Sequence, residues 1–507
     1  MPRFSWLLIA AAIPAVVAAQ TPASVQRAVN SVTPQDVVRR IAIIADDSML
    51  GRATPSRQLE KVAQYIATEL QRFGLKPGGD NGTYFQRYPV ERAVLVTDSS
   101  GAWSSGSLPL RWAYGTDLVQ VDGRTPTDAI SGPLLVLVGA VPDTGGIDSA
   151  AVAGKMLVVL RPSRGARRLL GWNPAAILIP STAPDSIWPL IAERFGSGGW
   201  RRPVPAPGSA TTAPPQFLLR QPVLQPLLTR LGLTLEAARQ APFAVRPVAG
   251  TTLHARVVEQ VAERTSAPNV IGILEGADPT LKSEYVFFTG HMDHIGTPGA
   301  GEGCQARGAD SICNGADDDG SGTIAVVKLA QAFAQLTPHP RRSLVFMTVS
   351  GEERGLWGSE YFSEHPTVPL AGIVADLNTD MVGRNWKDTI AVIGKEHSDL
   401  GATLNRVAAA HPELHMAAID DIWPQENFYF RSDHYNFARK GVPILFFFNG
   451  THPDYHQVSD EVAKIDGEKE SRIIKLDFYL GLEVANRTER PKWNPESYRR
   501  IVQQTGN

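Results

Sequence analysis

Residues 314–322 read NGADDDGSG, so that Asp317, Asp318 and Asp319 place three mutually repelling carboxylates side by side. A helix start accounts for one or two of them, because free N–H groups and the helix dipole favour Asp and Ser there. The following TIAVVKLAQAFAQL has apolar residues at mixed three- and four-residue spacing and predicts that helix. The remaining charge needs another partner. A bound cation supplies one if further ligands exist elsewhere in the chain.

Candidate ligands do recur, each at the end of a predicted strand. EYVFFTG runs into His291-Met292-Asp293, whose first and third residues share one face of an extended chain. A histidine ligand usually has a carboxylate on its other ring nitrogen, and Asp293 is placed for that. His294, next in line, reads as a loop or packing histidine. RSLVFMTV ends at Ser350-Gly351-Glu352-Glu353. Two glutamates there make either a solvated turn or a pair in which one holds a cation and its neighbour acts as general base on a water. GIVADLNTDM carries Asp376 and Asp380, of which Asp380 falls at the strand's end. GVPILFFFNG leads to His452, His456 and Asp460. Imidazole and carboxylate without thiolate suit zinc, with cobalt or manganese as substitutes. Some five ligands exceed what one catalytic zinc uses, and two ions about 3.5–4 Å apart, sharing one carboxylate, fit better.

The elements that must carry these residues alternate from residue 250 onward between continuous apolar strands and helices. That pattern predicts an α/β fold with a mostly parallel sheet covered on both faces, and sites in such sheets form at the carboxyl ends of the strands. Residues 34–75 read as helix, loop, helix, with Thr33 as a cap and Gly74 as a stop. Short β-like runs and a Pro/Gly/Trp-rich connector give 108–245 the texture of a small inserted module. The expected organisation is therefore a signal peptide at 1–19, a first part of the catalytic domain at 20–107, the insert at 108–245, the site-bearing part at 246–490 and a tail at 491–507.

The chain has 507 residues, 43% of them hydrophobic, with 49 basic against 51 acidic. Near-neutral charge gives no footprint for nucleic acid or an anionic membrane. Arg3, an apolar run from Trp6 to Val17, and small Val17 and Ala19 make 1–19 a signal peptide cut before Gln20. No cysteine follows that cut to take a lipid, and no later apolar run is long enough to predict a membrane span. The expected location is outside the cytoplasm, periplasmic or secreted. Cys304 and Cys313 are the two cysteines, and in an exported chain a disulfide between them is expected. NGT at 81–83, NGT at 449–451 and NRT at 486–488 match the glycosylation pattern.

Taken in order, GHMDHIG, NGADDDGSG, SGEERGLWGSEYF, NTDMVGR, RSDHYNFARKGVP and DYHQVSDE resemble the di-zinc aminopeptidase family that includes the bacterial leucyl aminopeptidases. Its relatives include glutamate carboxypeptidase II and glutaminyl cyclase. The likeness covers most of 30–95 and 255–485, and it implies a zinc-exopeptidase (phosphorylase/hydrolase-like) fold. It also implies roles: His291 and Asp380 on one zinc, Glu353 and His456 on the other, and Asp318, three residues before the serine of the SG pair, bridging both. Glu352 corresponds to the general base and Asp293 to the carboxylate that orients His291. Asp317 and Asp319 are left as loop, supporting or capping groups, and a cis peptide is expected between Asp318 and Asp319. The chain departs from the family in having His-Gln-Val-Ser-Asp where many relatives have His-Thr-Pro, which bears on loop shape only. The GKMLVVLR…AAILIPS core of the insert resembles a protease-associated domain, which often limits substrate size. The implied function is an exported di-zinc aminopeptidase acting on peptides with a free N-terminus. A carboxypeptidase, dipeptidase or glutaminyl cyclase on the same fold is the near alternative. A binding domain that had lost its chemistry would lack ligands, and none is missing here. Trp423, Tyr429 and Phe430 are candidates for a specificity pocket or for the core.

Overall fold

The computed structural model describes residues 20–123, 128–196, 198–203, 213–300 and 303–503, so the expected signal peptide lies outside the described residues. The chain divides into two units, one of residues 1–88 and 266–507 and the other of Pro89–Thr265.

In the first unit, α1 (Pro34–Ile44) starts where Thr33 accepts from the Asp36 amide and Pro34 presets the first turn. Helix α2 (Arg57–Arg72) buries Leu59, Val62, Ala63, Ile66, Ala67 and Leu70, one stripe at helical spacing. The strands of its sheet that bear on the site are β1 (Glu259–Leu274), β2 (Tyr285–His291), β3 (Ser343–Val349), β4 (Ile373–Thr379), β5 (Thr389–Ile393), β6 (Ala417–Ile419) and β7 (Ile444–Phe448). Their spatial order is β6-β5-β7-β4-β2-β3-β1. Strands β3, β2, β4 and β7 run parallel, whereas β1 and β5 are antiparallel to their inner neighbours. The parallel strands are buried along almost their whole length. That is why they read as unbroken apolar runs instead of alternating ones.

Alternate residues of β2 feed two cores, Phe288 one face and Phe287 the other. Three helices complete the layers used below: α3 (Gly320–Phe333), α4 (Trp357–Glu364) and α5 (Gly467–Asn486). Helix α3 is buried on all sides except at Gln331. Its one charge, Lys328, is satisfied by Asp36 Oδ2 at 2.6 Å and Ser31 O at 2.9 Å. The segment expected to be a tail is helical over 495–503, and its Ile501 is buried in the core. No helix among the described residues is long and apolar enough to cross a membrane.

The second unit, Pro89–Thr265, holds an eight-stranded sheet whose centre is parallel through Ile130–Ala140, Met156–Arg161, Ala176–Pro180 and Gln216–Leu219. It is wider than the 108–245 segment read from the sequence. The strand Gly101–Gly106 pairs with Thr251–Arg256 across the whole module, which draws both flanks into its sheet.

Phe333 on α3 anchors the first core, with ring centroids 4.5 Å from Phe478 and 5.3 Å from Phe288. Phe333→Ala is expected to lower unfolding free energy by about 3–5 kcal/mol in urea titrations. A loss below about 1 kcal/mol would show that this contact does not hold α3 to the sheet.

Candidate metal centre

His291, Glu352, Glu353 and Asp380 lie at or just beyond the carboxyl ends of strands, Asp318 just before α3, and His456 farther along a loop. His291 closes β2, in register with Val349 at the end of β3. Glu352 and Glu353 follow β3 through Gly351, whose φ is +74°. A Cβ on Gly351 would lie 2.7 Å from the Tyr88 hydroxyl and 3.0 Å from Trp357 Cβ, so the turn that presents both glutamates needs glycine. Asp380 follows β4, and His456 lies on the loop after β7.

Two donor groups result, and they share Asp318. On one side His291 Nε2 is 3.5 Å from Asp318 Oδ1 and 3.7 Å from Asp380 Oδ2. On the other, His456 Nε2 is 3.2 Å from Asp318 Oδ2 and 3.1 Å from Glu353 Oε2. Ligand atoms about 2.1 Å from a tetrahedral zinc stand about 3.4 Å from one another, so both sets fit such an ion. Asp380 Oδ1 is buried without a hydrogen bond, as befits a group made for a cation. Glu352 Oε2, 3.9 Å from His291 Nε2, belongs to neither set but faces the same space.

The other aspartates of the run have separate tasks. Asp319 caps α3 at the Gly322 amide (2.8 Å) and also accepts from the amides of His291 (3.0 Å) and Met381 (3.2 Å). Asp317 accepts from the Gly383 amide at 2.6 Å and stands 3.2 Å from His452 Nε2. Asp460 accepts from the amides of Asp317 and Asp318. The peptide between Asp318 and Asp319 is cis. Asp376 lies apart from the donors, buried in the sheet and bonded by Thr289 at 2.8 Å.

Asp293 departs in detail from its expected geometry. His291 Nδ1 lies nearest the Asp293 main-chain oxygen, at 3.2 Å, and 3.7 Å from its carboxylate. That carboxylate is held by Thr54 Oγ1 at 2.9 Å and by the Glu352 amide at 3.3 Å, which link it to the glutamate turn as well. His294, read as a loop or packing histidine, touches Glu353 instead.

The electrostatics follow from burial among carboxylates. Burial pushes the Glu352 carboxyl well up; His291 opposes this, and Glu353 adds to it. Burial disfavours charge on His456, but Asp318 and Glu353 push it up to about 10. Asp433 rises to about 7, mainly through burial.

Sequence reasoning passed over Arg52 and Thr54, because nothing in GRATP marks a site more than two hundred residues away. Arg52 is fully buried and donates to the main-chain oxygens of Met292 (2.9 Å), Asn314, Gly315 (2.6 Å) and Asp318 (3.2 Å). Ser432, which bonds Asp380 Oδ2 at 3.0 Å, could have been suspected from the RSDH motif. The cavity at the donors, about 40 Å³, is lined on its apolar side by Met381, Phe428, Phe446 and Phe448. Of the aromatic candidates, Tyr429 is buried, Phe430 is exposed, and Trp423 packs edge-on against Phe428 and Phe448.

A parallel sheet that presents imidazole–carboxylate donors at its strand ends, with a free glutamate beside them, is the site of a metal-dependent hydrolase. Residues 269–480, which carry all the donors, match the sequence model of peptidase family M28. A probable zinc metalloprotease of Pyricularia oryzae is 33% identical over 160 residues, which are 29% of this chain and 30% of that protein. A probable leucine aminopeptidase of Trichophyton verrucosum is 27% identical over 260 residues, covering 50% and 67% respectively. The chain spans less than a third of the length of the two zinc metalloprotease relatives it matches first. In fold it resembles the aminopeptidase from Aneurinibacillus sp. strain AM-1, with a TM-score of 0.53 and 17% identity over 92% of this chain and 97% of that one.

Arg52→Met would leave several buried carbonyl groups around Asp318 without their donor. A loss of about 3 kcal/mol in unfolding free energy is expected, together with weaker zinc retention on dialysis. An unchanged urea midpoint would refute this role for Arg52.

Proposed function

We propose that the chain is an exported aminopeptidase that holds two zinc ions and hydrolyses the first peptide bond of peptides with a free N-terminus. The observation that carries this reading is the division of Asp318, whose two carboxylate oxygens face different donor groups. His291, Asp318 and Asp380 would hold one ion, and Asp318, Glu353 and His456 the other, although His294 also stands within ligand distance of Asp318 and Glu353. Bound there, zinc supplies Lewis acidity toward a carbonyl oxygen and lowers the pKa of water.

The chain's own residues do the rest. Glu352, kept proton-avid by burial, takes a proton from the water that attacks the peptide carbonyl. As the C–N bond breaks, Glu352 passes that proton to the leaving nitrogen, so that one water is consumed and a carboxylate and an amine are released. Asp293, through the Glu352 amide, fixes the turn on which the base sits. Met381, Phe428, Phe446 and Phe448 receive an apolar first side chain and keep that side of the cavity dry. Tyr455 lines the same cavity, and burial keeps its phenol protonated as a hydrogen-bond donor. The Cys304–Cys313 bridge, with Cα atoms 6.0 Å apart, supports an oxidising compartment and with it export. The Pro89–Thr265 unit would be its protease-associated-like accessory.

One feature favours a second reading, a carboxypeptidase or dipeptidase: Arg431 lines the cavity and could take a free C-terminal carboxylate. C-terminally blocked peptides separate the two, because only an aminopeptidase cleaves them.

Purified protein is expected to carry about two zinc per chain and to hydrolyse leucine p-nitroanilide, losing activity on chelation and regaining it with zinc. Glu352→Ala should lower turnover by about 10²–10⁴-fold with zinc content unchanged. If the variant loses zinc instead, the roles of Glu352 and Glu353 are exchanged. One metal or none, with no activity after zinc is supplied, would sink the proposal.

A further inference from the structure

His294 is fully buried at the floor of the second donor group, and the mechanism above gives it nothing to do. Its Nδ1 stands 2.8 Å from Glu353 Oε1 and 3.7 Å from Asp318 Oδ2. The shorter distance is too small for two ligands of one tetrahedral ion, which stand about 3.4 Å apart, and it is the right length for a hydrogen bond. Glu353 is thus gripped from two sides: Oε1 meets His294, while Oε2 faces His456 at 3.1 Å. The imidazole cannot swing away. A Cβ on Gly315 would lie 2.5 Å from its Cγ and Cδ2, so the ring rests directly on main chain that only glycine, here at φ +60°, leaves open. On its other side the ring meets His456 edge to face at 5.7 Å.

We propose that His294 is a positioning residue for the second zinc. It donates its Nδ1 proton to Glu353 Oε1, so that only Oε2 is presented to the ion, and it thereby sets that ion's affinity without ligating it. A partner behind a ligating carboxylate commonly changes metal affinity by about 10–100-fold. The inference rests on the two-zinc reading of the site.

Three variants test it, because two of them put an amide nitrogen near the place of one ring nitrogen each. His294→Asn keeps a donor close to the place of Nδ1, His294→Gln reaches toward the place of Nε2, and His294→Leu keeps neither. The zinc-loaded chain is equilibrated against a graded series of chelator-buffered free zinc, and zinc per chain is read by mass spectrometry. For His294→Leu, one of the two release steps is expected to weaken by about 10–100-fold while the other stays within about threefold. His294→Asn should recover most of that loss and His294→Gln should not. Should His294→Leu fail to fold, the Asn–Gln contrast decides alone. Two unchanged release steps in His294→Leu would overturn the inference, as would rescue by Gln in place of Asn. A native chain that releases fewer than two zincs would overturn the two-zinc reading and this inference with it.

Discussion

Negative charge held away from water is the constraint around which this molecule is built. Asp293, Asp317, Asp318, Asp319, Asp380, Asp433 and Asp460 are all buried near one point of the fold. An isolated buried carboxylate is costly, and a cluster more so. Arg52 answers part of that charge, but it spends its donors on main-chain oxygens. His291 and His456 answer another part, both drawn toward the protonated state by surrounding carboxylates although burial opposes it. Divalent cations are the economical answer for what remains, since each one neutralises two carboxylates at once.

The same charges also assemble the backbone. Asp319 gathers amides from the end of β2, from the first turn of α3 and from the residue after Asp380. One carboxylate therefore sets the mutual position of three ligand-bearing segments. Asp317 does the same for the Gly383 turn, and Asp460 reaches back from the loop of His456 to hold the amides of Asp317 and Asp318. The flanking aspartates are thus the means by which Asp318 keeps one oxygen toward each donor group, and the repulsion within the run is met by hydrogen bonds to main-chain N–H groups.

What could be read in the sequence was what local pattern encodes. Buried parallel strands are continuous apolar runs, so their ends and the polar residues placed there were visible, as was the preference for Asp380 over Asp376. The N-terminal supports were not. Arg52 and Thr54 lie on a turn whose local sequence has no periodicity, and their value comes only from packing against residues 292–318. The pocket wall could not be placed from the sequence for a related reason. Phe446 and Phe448 alternate with Phe447 along one strand, so two face the cavity side and one the opposite core, and a run of three phenylalanines does not say which. The insert was read as 108–245, narrower than the Pro89–Thr265 unit, because its flanking strands pair across about 150 residues of sequence.

Adjacent glutamates of the same chemistry would be interchangeable in a solvated turn; here they are not. Burial works to raise both. On Glu353 it is overcome by hydrogen bonds from His294 and His456, which hold the carboxyl far below its usual range. Glu352 has no such bonds; His291 pulls it down less than burial and the Glu353 charge push it up, and it stays high. A carboxylate that is always ionised is suited to hold a cation, and one that readily takes a proton is suited to move it. His294 and His456 hydrogen-bond Glu353, whereas Glu352 stands 3.9 Å from His291 Nε2, and that difference favours Glu353 as the metal holder and Glu352 as the base in the proposed reaction.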